Sequence, residues 1–148
     1  VAFHLEPYEG RSVRDVRADV ELILGRYGGH EAFYRDGKGR PLWYCYDSYR
    51  LPVTDWAELL TKRGGITVRG TPLDGTFLGL YLNRGHEAYA TEGGFDGFYT
   101  YFASTGFSDG ARLSEWPRLA AWARERKKLF VPCVGPGYDD TRIRPWNV

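Results

Sequence analysis

The feature that most constrains the fold of this chain is a regular alternation of strand-like and helix-like segments. The strand-like runs are short and rich in apolar and aromatic residues, at Ala2–Glu6, Pro41–Asp47, Thr76–Leu82, Gly97–Phe102 and Leu129–Val134. Helical patterns lie between them. A strand, a helix and a second strand in this order form a parallel pair joined by a right-handed crossover. The chain therefore predicts an α/β fold built on a parallel sheet.

The clearest helix is predicted from about Val13 to Tyr27, where apolar residues recur at spacings of three and four. Ser12 and Asp15 form a variant of the capping box at its start, and Gly28-Gly29 favours its end. Three shorter helices are predicted, one beginning at Thr54, one over about Arg84–Thr91 and one following Ser114.

Two architectures hold four such strand–helix units and a fifth strand: an open doubly wound sheet and part of a (β/α)₈ barrel. No Gly-x-Gly-x-x-Gly follows the first strand, so a dinucleotide-binding fold has no support. A complete barrel takes about 250 residues, and this chain has 148. Because Val1 already begins a strand-like run and the chain ends directly after a dense polar loop, we expect a single partial domain over residues 1–148, truncated at both ends.

Composition excludes several functional classes. The net charge is +1 with acids and bases mixed, which argues against a nucleic-acid partner. No apolar run reaches the length of a membrane span, and no signal peptide is visible. Cys45 and Cys133 lie inside apolar runs, so two buried free thiols are predicted, with one disulfide as the alternative.

Polar and aromatic residues collect where the strand-like runs end, which is where ligands bind in both architectures. Alternation places His4 and Glu6 on one face of the first strand, away from the helices. The aromatic content is 16%, with 11 tyrosines, and many of the rings stand beside acids. Such a surface stacks on flat apolar faces and hydrogen-bonds at their edges, which suits a sugar or polyol. The fifth run leads to Tyr138, Asp139, Asp140, Arg142 and Arg144.

Several candidates also have a purely structural interpretation. His4 is equally typical of a hydrogen-bonded core histidine, and Tyr99 and Tyr101 of core packing. The pairs Asp74-Gly75 and Asp96-Gly97 indicate turns rather than catalytic groups.

A metal site is disfavoured. His4 and Glu6 point the same way, but His30 and His86, the other two of three histidines, complete no ligand set. No Ser–His–Asp or Cys–His pattern and no glycine-rich phosphate loop is present. We therefore expect no metal ion and no cofactor.

These motifs closely resemble those of the endo-α-1,2-mannosidases of glycoprotein processing, glycoside hydrolase family 99, from one end of the chain to the other. The matching blocks are His4-Leu-Glu-Pro-Tyr8, Gly28-Gly-His-Glu-Ala-Phe-Tyr-Arg35, Tyr46-Asp-Ser-Tyr49, Pro72-Leu-Asp-Gly75, Gly94-Phe-Asp-Gly-Phe-Tyr-Thr-Tyr-Phe102 and Val134-Gly-Pro-Gly-Tyr-Asp-Asp-Thr-Arg-Ile-Arg-Pro-Trp-Asn147.

The resemblance implies a (β/α)₈ barrel, here a partial one of about four βα units plus a fifth strand. It implies retaining cleavage of internal α-1,2-mannosidic bonds in glucosylated high-mannose N-glycans. One carboxylate deprotonates the sugar's 2-hydroxyl, which attacks the anomeric carbon, and a second carboxylic acid protonates the leaving oxygen. It also implies a location on the lumenal side of the Golgi membrane, with membrane contact only through an N-terminal anchor absent from this chain.

By the same resemblance, the partner is an N-glycan oligosaccharide. Glu6 would hydrogen-bond a sugar hydroxyl, and Tyr46 and Tyr101 would line the cleavage subsite. Arg144 would hold acids of the site or sugar hydroxyls. The full set of candidate substrate-binding residues is His4, Glu6, Tyr44, Tyr46, Asp47, Tyr101 and Arg144.

The family's catalytic glutamate pair lies in an Asn-Glu-Trp-His-Glu stretch that this chain does not contain. Its one Glu-Trp pair, Glu115-Trp116, begins a helix and is followed by Pro117, so it is not that motif. We therefore expect the 148 residues alone to be inactive. We also expect them to be poorly folded, because the missing barrel strands would leave sheet edges unpaired. The alternatives are a non-catalytic carbohydrate-binding pseudoenzyme and a truncated splice product.

Overall fold

The computed structural model describes residues 1–101, 107–135, 139 and 141–146. Within them five strands form one parallel sheet in the order β1-β2-β3-β4-β5. The strands are β1 (Phe3–Leu5), β2 (Leu42–Cys45), β3 (Thr76–Tyr81), β4 (Gly97–Thr100) and β5 (Leu129–Val131).

Four α-helices connect these strands. They are α1 (Val13–Tyr27), α2 (Val53–Leu60), α3 (Glu87–Thr91) and α4 (Trp116–Glu125). Short 3₁₀ turns at Ser48–Arg50 and Leu113–Glu115 precede α2 and α4. At the start of α1 the backbone N–H and hydroxyl of Ser12 both donate to the Asp15 carboxylate, so the predicted cap is confirmed.

The strand order decides between the two architectures. Every crossover moves one strand further in the same direction, whereas a doubly wound sheet reverses direction at a switch point. Unbroken sequential order is the connectivity of a (β/α)₈ barrel. The predicted fold class, an α/β chain that forms part of such a barrel, is therefore confirmed.

Side chains alternate between the two faces of the sheet. The outward face packs under the helices around Trp43, Phe77 and Phe95, which are fully buried. A second outward cluster surrounds Phe98 and Leu119. The inward face carries a separate cluster of aliphatic and tyrosine side chains: Leu42, Tyr44, Tyr46, Tyr49, Leu78, Leu80, Leu82, Tyr99, Tyr101, Val131 and Cys133. The concave interior of the barrel is therefore unusually rich in tyrosine.

The predicted elements are found, but several are shorter than the sequence suggested. β2 covers Leu42–Cys45 rather than Pro41–Asp47, and α3 begins at Glu87 rather than Arg84. Both cysteines are free, as predicted, but only Cys45 is fully buried. Phe102, the predicted end of the fourth strand, lies outside the described residues, as do Tyr138, Asp140 and Asn147 of the polar loop after the fifth strand. None of the helices in the described ranges has the length and apolar character needed to cross a membrane.

Charged side chains join the N-terminal ends of the strands. Arg69 pairs with Asp96 at 2.8 Å and with Asp74 at 3.0 Å, and it donates to backbone carbonyls of the preceding and following loops. Arg40 links Asp96 to Asp36. Asp74 and Asp96 also accept backbone N–H groups, so the prediction that they mark turns rather than catalysts fits their contacts. We call this set of five residues the basal network.

Candidate active site

The C-terminal ends of the strands carry a hydrogen bond that spans the interior of the barrel. Nε2 of His4 on β1 lies 2.8 Å from the hydroxyl of Tyr99 on β4. In a flat sheet these strands would lie about 14 Å apart, with side chains perpendicular to the sheet. The contact therefore requires the sheet to curve so that both side chains point at one axis, which places them in the mouth of a barrel.

Glu6 extends this row of hydrogen bonds toward solvent. Its Oε1 lies 2.6 Å from Nδ1 of His4. The side chains of Glu6 and His4 are 62% and 43% exposed, while Tyr99 is only 5% exposed. The row thus runs from a buried phenol to an accessible carboxylate. The predicted alternation, with Glu6 and His4 on the face away from the helices, matches this arrangement.

Three further tyrosines line the same mouth. Tyr44 lies beside His4 in the sheet register, and its ring packs edge-on against Tyr99 at 5.1 Å. Tyr46 lies 5.1 Å from the His4 ring and 6.1 Å from Tyr101, centroid to centroid. Of the seven predicted site residues, the structure therefore brings His4, Glu6, Tyr44, Tyr46 and Tyr101 together.

The hydroxyls of Tyr44, Tyr46 and Tyr99 stay protonated at neutral pH. Burial, together with hydrogen bonding to Tyr101 and the nearby charges of Asp47 and Glu6, raises the pKa of Tyr46 to about 12. Burial also raises the pKa values of Tyr44 and Tyr99. A tyrosine nucleophile needs a lowered pKa, so these phenols suit hydrogen bonding to a ligand rather than covalent catalysis.

Asp47 faces a different partner. Its carboxylate accepts a hydrogen bond from Nε of Arg50 at 3.1 Å, and it adopts a left-handed backbone with a φ of 45°. The side chain is 12% exposed. Asp47 thus fixes the turn after β2 that carries Tyr46, and its contact with a substrate stays a prediction.

The last predicted residue, Arg144, is exposed in the segment 141–146. Asp139 accepts hydrogen bonds from the backbone and hydroxyl of Thr141, so its carboxylate shapes a local turn. Tyr138 and Asp140 lie outside the described residues. The role of Arg144 in substrate binding stays a prediction.

Two residues that hold the site were missed by the sequence reasoning. The sequence is compatible with Tyr99 in core packing, but its alternation with Tyr101 places both on the inward face. The second residue is Arg11, whose side chain is only 6% exposed. Its guanidinium donates to the backbone carbonyl of Glu6, pairs with Asp19 at 2.5 Å and lies over the Tyr8 ring. Its signal was an arginine directly before a helix cap, which sequence alone does not distinguish from a surface residue.

His86 and Glu115 are ionisable groups with structural contacts outside this mouth. Within the described ranges no cluster of three or more His, Cys, Asp or Glu side chains could hold a metal ion. His86 stacks on Tyr49 and accepts the backbone N–H of Leu82, and burial lowers its pKa. Glu115 is bound to Arg118 and Arg84 on the helix side of the sheet. Among the described residues, the contacts that hold the mouth together therefore come from tyrosines, one imidazole and one carboxylate.

Comparison with known proteins adds independent findings. The profile described as "Glycosyl hydrolase family 99" matches residues 1–148. The chain is 50% identical over 99% of its length to a "Glycoprotein endo-alpha-1,2-mannosidase-like protein" of Danio rerio, covering 34% of that protein. It is 46% identical to a "Glycoprotein endo-alpha-1,2-mannosidase" of Xenopus laevis, again covering 34%.

Solved structures agree with these sequence relatives. An endo-alpha-mannosidase of the same family from Bacteroides thetaiotaomicron, in complex with Bis-Tris propane, superposes with a TM-score of 0.93 at 48% identity. That superposition covers 99% of this chain and 46% of the bacterial one. The chain thus spans about a third of the curated relatives' length and under half of the solved structures'.

Proposed function

Because the chain belongs to glycosyl hydrolase family 99, we propose that it contributes part of the substrate-binding site of a retaining endo-α-1,2-mannosidase. The substrate is a glucosylated high-mannose N-glycan, cut at an internal α-1,2-mannosidic bond. The observation that carries this proposal is the row Glu6–His4–Tyr99, which opens among tyrosines at the C-terminal ends of parallel strands. Active sites of (β/α)₈ barrels lie at that end.

The chemistry of the mouth suits a sugar. An ionised carboxylate accepts hydroxyl hydrogen bonds, and protonated phenols donate to ring and glycosidic oxygens. Aromatic rings cover the apolar face of a pyranose. In this assignment Glu6 accepts from a sugar hydroxyl, and Tyr46 and Tyr101 line the cleavage subsite. The remaining members are His4, Tyr44, Asp47 and Arg144.

Glycoside cleavage by this route needs two carboxyl groups with separate roles. Among the described residues Glu6 is the one carboxylate hydrogen-bonded within the tyrosine-lined mouth. We therefore place the acid–base pair in the part of the protein that has no counterpart here, and expect the 148 residues alone to be inactive. No metal or cofactor enters this chemistry.

The cellular setting is part of the same proposal. The vertebrate relatives are named glycoprotein endo-alpha-1,2-mannosidases, which supports a glycan of a glycoprotein as the substrate. We place this work on the lumenal side of the Golgi membrane. An N-terminal anchor outside these residues would supply the membrane contact. Imaging of the tagged full-length protein beside Golgi and plasma-membrane markers tests this location, and a cytosolic signal would contradict it.

The activity is tested on the full-length protein with a glucosylated high-mannose glycan. We expect release of a glucosyl-mannose fragment with retained anomeric configuration. NMR of the freshly formed product measures that configuration. Inverted configuration, or trimming of single residues from the chain end, would contradict the proposal.

A second candidate is a carbohydrate-binding protein without turnover. It is favoured by one observation: relatives named "-like protein" are as similar to this chain as relatives named mannosidase, at 50% and 46% against 46% and 44% identity. A pseudoenzyme of this kind would keep the tyrosine-lined mouth. Glycan-array binding by the full-length protein with no cleavage would support it, and cleavage would exclude it.

A further inference from the structure

The carboxylate of Glu6 is exposed, yet it is anchored to a buried group. A freely rotating glutamate has several side-chain conformers, and holding one of them costs conformational entropy. Here His4 stands between Glu6 and Tyr99, with hydrogen bonds of 2.6 and 2.8 Å on its two ring nitrogens. Tyr99 itself packs against the edge of the Tyr44 ring, which also points into the barrel.

The donors and acceptors of this row follow from its two ends. Ionised Glu6 can only accept, so Nδ1 of His4 must carry the hydrogen. Burial raises the pKa of Tyr99, so its hydroxyl keeps its hydrogen at neutral pH. Within the part of the chain that the structure describes, Nε2 of His4 is the hydrogen-bond partner of that hydroxyl. A neutral His4 that donates through Nδ1 and accepts at Nε2 satisfies both ends.

Taking the proposed function as its premise, we infer that Tyr99 and His4 are positioning residues for the glycan site. The Tyr99 hydroxyl donates to Nε2 of His4, the Nδ1–H of His4 donates to Glu6, and this relay aims the Glu6 carboxylate at the sugar hydroxyl it binds. The relay moves no proton in the reaction. It fixes one histidine tautomer and one glutamate conformer before substrate arrives.

The backbone of Glu6 is held separately. The guanidinium of Arg11 donates to the Glu6 carbonyl and is itself held by Asp19 and the Tyr8 ring. With the main chain fixed, the remaining freedom of Glu6 is its own side-chain rotation, which is the freedom that His4 removes. Preorganisation of this kind requires that each group touching the ligand be locked by a supporting contact.

The first test reads the tautomer directly. Full-length protein labelled with ¹⁵N-histidine is compared with its His4→Asn variant, so that the His4 signals are identified by difference at pH 7. We expect a neutral imidazole with the hydrogen on Nδ1. A hydrogen on Nε2, or an imidazolium, would overturn the inference.

The second test removes the buried hydroxyl alone. Tyr99→Phe keeps the ring packing but removes the hydrogen bond at Nε2 of His4, so the imidazole ring and the Glu6 carboxylate that it holds gain rotational freedom. Because a misplacement of about 1 Å can cost roughly 100-fold, we expect kcat/KM for the glycan to fall at least about tenfold. The matched control is Tyr81→Phe, which deletes a buried hydroxyl bound to Glu87 and Arg118 on the opposite face of the sheet. It should cost comparable stability and leave the kinetics unchanged.

A double-mutant cycle distinguishes a positioning role of Tyr99 from a general loss of rigidity in the site. If Tyr99 acts through Glu6, Tyr99→Phe should have almost no effect on kcat/KM in a Glu6→Gln background. Additive losses would overturn the relay. If the wild-type protein has no glycosidase activity, the proposed function is wrong. The NMR measurement of the His4 tautomer still tests the relay in that case.

Discussion

At the N-terminal ends of the strands the charged groups face one another, whereas at the C-terminal end of β1 a carboxylate faces solvent. Arg69 in the basal network is 11% exposed and has a carboxylate or carbonyl for each of its donors. Glu6 in the mouth is 62% exposed, and His4 occupies one of its oxygens. The basal charges are thus committed to the fold, while the mouth keeps acceptor capacity for a ligand.

The charged groups at the two ends of the strands differ because they hold different loops in place. The loops before β2, β3 and β4 are tied together by Arg40 and Arg69, which fixes strand positions relative to one another. The loops after β1 and β2 are held instead by contacts of Arg11 and Asp47 with neighbouring groups of the same loops. Stability and binding are therefore separable in this chain, and substitutions at the two ends should report different quantities.

The largest effect is expected for Arg69→Ala in the full-length protein. Removing it takes the shortest ion pair from Asp96, which keeps Arg40, and a donor from three backbone carbonyls. Breaking a largely buried pair in this way costs about 3–5 kcal/mol. Urea unfolding measures the loss, and activity per folded molecule should not change. Arg63→Ala, an exposed arginine on the preceding loop, is the control. A loss below about 1 kcal/mol, the range of surface pairs, would contradict the structural role.

Glu6→Gln should show the opposite pattern. The amide loses an ionic acceptor for a sugar hydroxyl, and hydrogen bonds to charged groups contribute about 1.5–3 kcal/mol. Glycan affinity should therefore fall roughly 10- to 100-fold, as measured by calorimetry and by KM. The free energy of unfolding should stay within about 0.5 kcal/mol. Glu9→Gln, an exposed glutamate three residues away, should change neither quantity; unchanged KM and kcat in Glu6→Gln would remove Glu6 from the site.

The regions changed in these two variants differ in how well the sequence predicts them. Strand–helix alternation predicted the fold, because every βα unit of a barrel repeats the same local pattern. Alternation along β1 placed Glu6 and His4 in the mouth. The His4–Tyr99 contact could not be predicted, since it joins residues 95 positions apart and depends on sheet curvature. The basal network was equally hidden, because Asp-Gly pairs that look like simple turns carry its carboxylates.

A smaller and pH-dependent effect is expected for Asp36→Asn. Burial opposes ionisation of Asp36, but the backbone N–H groups of Arg40 and Lys38, the Thr76 hydroxyl and the Arg40 guanidinium hold its pKa well below the usual 3.8. A depressed pKa stabilises the fold above the unfolded value and loses that contribution as pH falls. We therefore expect Asp36→Asn to cost about 1–2 kcal/mol at pH 7.

The difference between wild type and Asp36→Asn should shrink as the pH falls below about 4, because the unfolded wild-type carboxyl then takes up a proton. Urea unfolding at pH 7 and pH 3 measures it, with Glu31→Gln, an exposed acid, as the control. A difference that stays constant between the two pH values would show that the loss comes from packing rather than from the ionised carboxylate.

The smallest effect is expected for an exposed charged pair in the connections that follow β3 and β4. Arg84 pairs with Glu115 at 3.2 Å on the helix side, but its side chain is 67% exposed. Exposed pairs contribute about 0–1 kcal/mol and are screened by salt, and Glu115 keeps its stronger contact with Arg118 at 2.8 Å. Arg84→Ala should therefore change unfolding by less than about 0.5 kcal/mol and should not differ from wild type in high salt. A loss like that of Arg69→Ala would mean that paired charges stabilise this fold wherever they lie, and the contrast between the two strand ends would not be about burial.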